Sequence, residues 1–254
     1  NVINEKSNKL VDYLLEIEGN ENEPYVNIPN SSHFMDHSKS LEIKINQQRR
    51  QKEKFNFFLN SFDFLNDSQI EGDYYEFGVH KARTFRMALS GARFYNLEKI
   101  SFHAFDSFEG LPNTGKNIIK QWQPNSLTTS IQTFKDLISK HGLFEKNVYC
   151  YKGFYKELLT SKLSNEILKN HRKASLINVD CDYYESAVSV FNFIEPFIQH
   201  GTVIYLDDVF AGFTENSSGG VYRAFQEFKI KSNFNYISHM NIGWWGKSFI
   251  ASRN

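Results

Sequence analysis

Cysteine is scarce in this chain: only Cys150 and Cys181 occur. Two well-separated thiols make neither a disulfide framework nor a zinc pattern. Both are expected as reduced core thiols in a cytoplasmic protein. No stretch of 18 apolar residues is present, so no membrane-spanning helix is expected. No charged-then-apolar signal segment is seen either. Net charge is also missing, since Lys plus Arg and Asp plus Glu each total 29. That argues against a nucleic-acid binder held by bulk charge. The glycine fingerprint G-x-G-x-x-G is absent as well, which argues against an NAD-dependent oxidoreductase.

Apolar and aromatic residues are plentiful. Of 254 residues 41% are hydrophobic, with 24 Phe and 13 Tyr, enough for one large domain or one domain with an appended arm. Residues 1 to about 45 carry loop signals, "EGNENEP" and "NIPNSS", with a short helix expected over 9–17. Residues 46–66 read as a helix, because Phe55, Phe58, Leu59 and Phe62 recur at spacings of three and four. The organisation expected is an arm over 1–66 and a main domain over 67–254. The arm is expected to cover part of that domain or to join two copies as a homodimer. Within it, "QQRRQKEK" reads as the solvated face of a helix.

From residue 72 the pattern changes. Strand-like runs fall at 73–77, 101–105, 148–151, 175–179 and 202–206, with two closing runs near 234–239 and 244–251. Helical patterns fall near 80–94, 126–142, 155–170 and 184–199. Alternating strands and helices predict an α/β fold with a mostly parallel sheet covered on both faces. Ligands of such sheets bind at the carboxyl ends of the strands. Glu76, Asp106, Asp180, Asp182, Asp207 and Asp208 all fall there.

Each strand end suggests a chemistry. Gly78, between a strand and a helix, lets backbone approach a ligand or take a conformation closed to other residues. Asp106 follows Glu76 by 30 residues, longer than the roughly 20 of the NAD fingerprint, so a nucleoside without a pyrophosphate fits better. A carboxylate there can accept both ribose hydroxyls; it can also cap a turn. If the fourth and fifth strands are neighbours, Asp180 meets the Asp207–Asp208 pair. Clustered carboxylates repel unless a cation intervenes, and all-oxygen ligation suits Mg²⁺ or Ca²⁺. The alternative is that Asp208 and Asp182 are caps. Trp244 and Trp245 read as core or rim.

"GDYYEFGV", "FDSFEGLP", "YKGFYKELL", "NVDCDYYES" and "GTVIYLDDV", in this order, resemble the macrocin-type O-methyltransferases over roughly residues 70–250. The resemblance implies a Rossmann-like class I methyltransferase fold with a seven-stranded sheet, S-adenosylmethionine as methyl donor, Mg²⁺, and often a sugar hydroxyl of a small molecule as acceptor. Carried over by position, it implies Glu76, Gly78 and Thr84 at the methionine end of the donor, Asp106 and Ser107 at the ribose, and Gly153 and Phe154 near the adenine. Asp180, Asp207 and Asp208 would hold the metal. For the methyl transfer so implied, Asp180 or Asp182 is the leading candidate for general base, with His80 behind them. Tyr183, Tyr184, Phe210 and Phe213 are candidates for the acceptor wall, and 211–220 reads as a loop able to close over it. The departure is Lys81–Ala82–Arg83, where the family commonly has a glycine pair. The expected role is natural-product or polysaccharide biosynthesis. Alternatives are a phosphate or phosphoramidate oxygen as acceptor, or a non-catalytic nucleoside-binding module.

Overall fold

The computed structural model describes residues 39–113, 123–210 and 220–253. The helix expected over 9–17 and most of the loop 211–220 lie outside them. A long helix α1 (Lys39–Asp67) leads into strand β1 (Asp73–Phe77) and helix α2 (Arg83–Phe94). Then follow β2 (Phe102–Asp106), α3 (Ile131–His141), β3 (Val148–Lys152), α4 (Tyr155–Leu158) and α5 (Ser161–Asn170). The chain continues through β4 (Ala174–Val179), α6 (Tyr184–Ile194), β5 (Val203–Leu206) and α7 (Gly220–Lys231), and closes with β6 (Asn235–Ile242) and β7 (Gly246–Ser252).

The seven strands form one sheet in the order β3-β2-β1-β4-β5-β7-β6. β1 to β5 run parallel, while β7 is antiparallel to both β5 and β6. The strand order reverses between β1 and β4, the crevice where such sheets bind ligands. β1, β4 and β5 are buried at every position. That accounts for their mostly apolar and aromatic composition, since both faces are covered. Register stacks the aromatics in rows: Phe77 on Phe105 at 4.6 Å and Phe105 on Tyr151 at 4.5 Å. Much of the chain's Phe and Tyr content goes into these rows and the clusters behind them.

Local chemistry moves several helix ends from their expected places. Residues 78–82 stay outside α2 because Gly78, His80 and Ala82 have positive φ, so the helix begins at Arg83. The pattern over 155–170 breaks into two helices because Thr160 caps a new start, its hydroxyl accepting from the Leu163 amide. α6 gives way at Glu195 to a short 3₁₀ turn containing Pro196, which cannot donate in a helix interior.

Helix α1 shows one stripe with two chemistries. Phe55, Phe58, Phe62 and Leu65 are buried in the same apolar cluster as Tyr74, Phe85 and Phe102. Each such side chain removed from water contributes roughly 1.5–3 kcal/mol. One and two turns earlier the stripe becomes polar, with Gln51 and Gln47 also buried. The reading of "QQRRQKEK" as a solvated face is therefore corrected. Arg49, Lys52 and Glu53 are exposed, but Gln47 and Gln51 are buried and Arg50 and Lys54 half-buried. The 3.6-residue period carries the inward face through the basic segment.

Candidate active site

Beyond the carboxyl ends of the parallel strands lies a cavity of about 720 Å³. Gly78, Asp106, Ser107, Gly153, Phe154, Asp180, Asp182, Asp207 and Asp208 all line it. Nine of the eleven site residues expected from sequence thus share one space. The strand ends that deliver them remain tied into the sheet: Gly78 N donates to Phe105 O at 2.9 Å, Asp180 N to Phe77 O at 2.9 Å and Asp207 N to Val179 O at 3.0 Å. The site is therefore built on ladder-bonded backbone.

One half of the cavity is a backbone cradle. Gly78 has φ 92°, and a Cβ added there would sit 1.7 Å from the Asp180 carbonyl oxygen. Glycine is required because β1 and β4 run their ends together here. Beside it, Asp106 accepts the Val79 and His80 amides at 2.9 and 3.4 Å through one oxygen and the Phe108 amide at 2.7 Å through the other. The carboxylate thus anchors both loops and still faces the cavity. Ser107 Oγ donates to Gly110 O at 2.7 Å, and Gly153 N donates to Asp106 O at 3.0 Å. Phe154 is 37% exposed and offers an aromatic surface at the rim.

Glu76 and Thr84 are joined to each other and are not on the lining. Glu76 is fully buried, and both Thr84 Oγ1 and Tyr74 OH donate to it, the latter at 2.5 Å. Burial pushes its carboxyl up from 4.5 to about 7, against the pull of the Thr84 and Tyr74 hydrogen bonds. The folded protein holds this proton more tightly than the unfolded chain. Stability should then fall as pH rises from about 4.5 to about 7, with the full cost present above that. Glu76→Gln should remove up to about 3 kcal/mol of that fall. Urea denaturation of both proteins at two pH values bracketing this range checks it; parallel curves would contradict it.

The other half is acidic. Asp180, Asp207 and Asp208 each offer an oxygen within 4.8 Å of the others. Adjacent β4 and β5 bring them together, as the sequence reading required. Asp182 and Asp208 have φ 58° and 54°, a left-handed region costly for a side-chain-bearing residue and often found at functional sites. Burial and mutual repulsion raise Asp180, Asp182 and Asp208 well above the ordinary carboxylate range. Lys54 of α1 works against that rise. Its Nζ lies 2.7 Å from Asp207 Oδ2 and 3.8 Å from Asp180 Oδ2. Burial alone would lower the lysine's pKa, but Asp207 and Asp180 outweigh it and hold the ammonium charged. Tyr205 OH donates to the other oxygen of Asp207 at 2.5 Å.

The outer wall was not foreseen as a unit. Arg50, Gln51 and Lys54 come from α1, and Trp244 and Trp245 from the turn between β6 and β7. The Arg50 guanidinium lies over both indoles, 5.7 and 5.0 Å from their centres. Gln51 Oε1 and Trp245 Nε1 are buried and have no hydrogen-bond partner among the described residues. The periodicity of α1 would have found Gln51 and Lys54; nothing in the sequence signals Tyr205. The four aromatics expected on this wall are elsewhere or undescribed. Tyr183 is buried, Tyr184 bonds to Glu227 at 2.6 Å, Phe210 is exposed and off the lining, and Phe213 lies outside the described residues. His80 lines the cavity, but its Nδ1 is 2.7 Å from the Leu127 carbonyl, a structural tie.

Among the described residues a second group, Asp73, His103 and His171, also has ligand-type atoms within 4.8 Å. It lies toward the amino ends of the strands, with Asp73 at the start of β1 and His103 near the start of β2. Asp73 is committed there to the Ser101 and Arg172 amides, both at 3.0 Å, which accounts for its burial.

Known proteins share both the sequence pattern and this architecture. A family model described as macrocin-O-methyltransferase (TylF) matches residues 47–247. The solved O-methyltransferase NovP is similar at TM-score 0.69 and 15% identity, covering 97% of this chain and 100% of its own. The calicheamicin methyltransferase CalS11 follows at 0.61 and 14%, covering 96% and 91%. An O-methyltransferase from Bacillus cereus, solved in complex with SAH, gives 0.52 and 10%, covering 96% and 91%. No curated protein matches the sequence.

Proposed function

Because this chain belongs to the macrocin-O-methyltransferase family, and so is an S-adenosylmethionine-dependent O-methyltransferase, we propose that it methylates a hydroxyl of a small molecule with the help of Mg²⁺. The observation that carries this is the pairing, in one cavity, of a backbone cradle with an acidic cluster. The cradle suits the donor. Gly78 allows close backbone approach, with Glu76 and Thr84 bracing the turn beneath. Asp106 and Ser107 would take the ribose, and Gly153 and Phe154 would lie beside the adenine. Such a donor supplies an electrophilic sulfonium methyl.

The donor set Asp180, Asp207 and Asp208 suits a hard divalent cation. Bound there, Mg²⁺ would orient the acceptor hydroxyl and lower its pKa. Asp182 stands outside that set, beside it on the cavity lining, and is placed to act as the base. It would take the hydroxyl proton as the oxygen–methyl bond forms and the sulfur–methyl bond breaks, the electron pair staying on sulfur. Asp180 is the second candidate for that role.

Membership of this family supports a hydroxyl acceptor over a phosphate or phosphoramidate. A glycosylated metabolite, rich in hydroxyls, fits that reading.

Calorimetry tests the donor reading. S-adenosylhomocysteine should bind in EDTA, and NAD should not. Asp106→Ala should weaken S-adenosylhomocysteine by roughly 1.5–3 kcal/mol, the range for hydrogen bonds to a charged group. Unchanged affinity would remove Asp106 from the ribose.

A further inference from the structure

Both oxygens of Asp207 have partners. Oδ1 accepts from Tyr205 OH at 2.5 Å, and Oδ2 faces the Lys54 ammonium at 2.7 Å. A carboxylate oxygen with one partner keeps a lone pair for a metal, so the neutral Tyr205 hydroxyl, buried on β5, is compatible with ligation. The ammonium differs because it carries a full positive charge. Lys54 is the end of a flexible side chain on α1, its side chain 15% exposed beside the cavity. Two cations held against the same carboxylate repel, and the repulsion is strong where little water screens it. The lysine, with Asp180 as a second contact at 3.8 Å, already supplies the positive charge that the cluster requires.

We propose that Lys54 is a resident cation, which neutralises the Asp180–Asp207 pair in the metal-free protein and is exchanged for the divalent ion when metal binds. The inference rests on the reading of this cluster as a metal site. Through Lys54 the seating of α1 on the cavity and the loading of metal become one equilibrium. Linkage makes the effect reciprocal: whatever Lys54 contributes to the metal-free state is subtracted from metal affinity.

Mn²⁺ serves as the probe, titrated by calorimetry into the wild-type protein and into Lys54→Met, which keeps the length and loses the charge. Mn²⁺ should bind the variant about 5- to 150-fold more tightly, the usual span of a coupling between two sites. The variant should also melt lower than wild type in EDTA and regain the difference with Mn²⁺. Equal or weaker Mn²⁺ binding in the variant overturns the exchange while leaving the metal site standing. Failure of both proteins to bind Mn²⁺ removes the metal site and the exchange with it. A second measurement needs no variant. Acetylation of Lys54 in the wild-type protein, followed by mass spectrometry, should be slow in EDTA and accelerate with Mn²⁺. A rate indifferent to Mn²⁺ in a protein that binds the ion would likewise refute the exchange.

Discussion

Gly78→Ala is expected to unfold this protein or leave it far less stable, with S-adenosylhomocysteine binding lost. The added Cβ would lie 1.7 Å from the Asp180 carbonyl oxygen and 2.8 Å from its carbonyl carbon. Neither is the end of a side chain that could turn away. Both belong to backbone at the end of β4, held by the bond from Asp180 N to Phe77 O. The backbone at Gly78 also has φ 92°, which disfavours any L residue. Overpacking costs about 1–3 kcal/mol and left-handed backbone about 1–2 kcal/mol. Their combination is a large share of the roughly 5–15 kcal/mol that stabilises a typical domain. Relief would push β1 and β4 apart at the crevice where the cradle meets the acidic cluster. A melting curve and an S-adenosylhomocysteine titration check this. A variant with wild-type stability and affinity would mean that the two strand ends are not packed as described.

Much of the site was legible because its residues lie at the ends of strands that announce themselves. "SLINVD" and "TVIYLDD" each show an apolar run stopped by carboxylates, and neighbouring parallel strands bring such stops together. The mostly parallel sheet followed from the alternation of strands and helices; the order of its strands did not. Helix boundaries were less legible, since they depended on single residues such as Thr160 as a cap and Ala82 in a left-handed turn. The wall from α1 was hidden for a different reason. Lys54 meets Asp207 across 153 residues of chain, and no local pattern records such a contact. Composition pointed the wrong way, because a run of Arg, Lys, Gln and Glu usually faces water. Only the helical register from Phe58 back through Lys54 and Gln51 to Gln47 would have turned that face inward.

Asp207→Asn carries the second large effect, and it separates the two halves of the cavity. Outer-shell changes at metal sites commonly cost about 10–100-fold in affinity. Replacement of a ligand carboxylate should reach at least the upper end of that range, and methyl transfer should cease. S-adenosylhomocysteine binding should be unchanged, because the cradle draws on Gly78, Asp106, Ser107 and Gly153. In EDTA the variant should also be less stable than wild type. A neutral amide in place of the carboxylate would leave Lys54 without its 2.7 Å ionic partner in a site where the lysine side chain is only 15% exposed. Breaking a buried pair from one side costs about 3–5 kcal/mol, and the lower end applies because Asp180 still faces the lysine at 3.8 Å. Metal titration, donor titration and denaturation of the one variant read out the three effects. Loss of donor binding along with metal binding would show that the two sites are not separable.

The most direct test is crystallographic. Crystals grown with S-adenosylhomocysteine and Mn²⁺ should show one anomalous peak bounded by Asp180, Asp207 and Asp208. The nucleoside should lie along Gly78, Asp106, Ser107 and Gly153, with its sulfur turned toward the metal side of the cavity. A nucleoside in that place with no peak at the three aspartates, or with the peak at Asp73, His103 and His171 instead, would contradict the account.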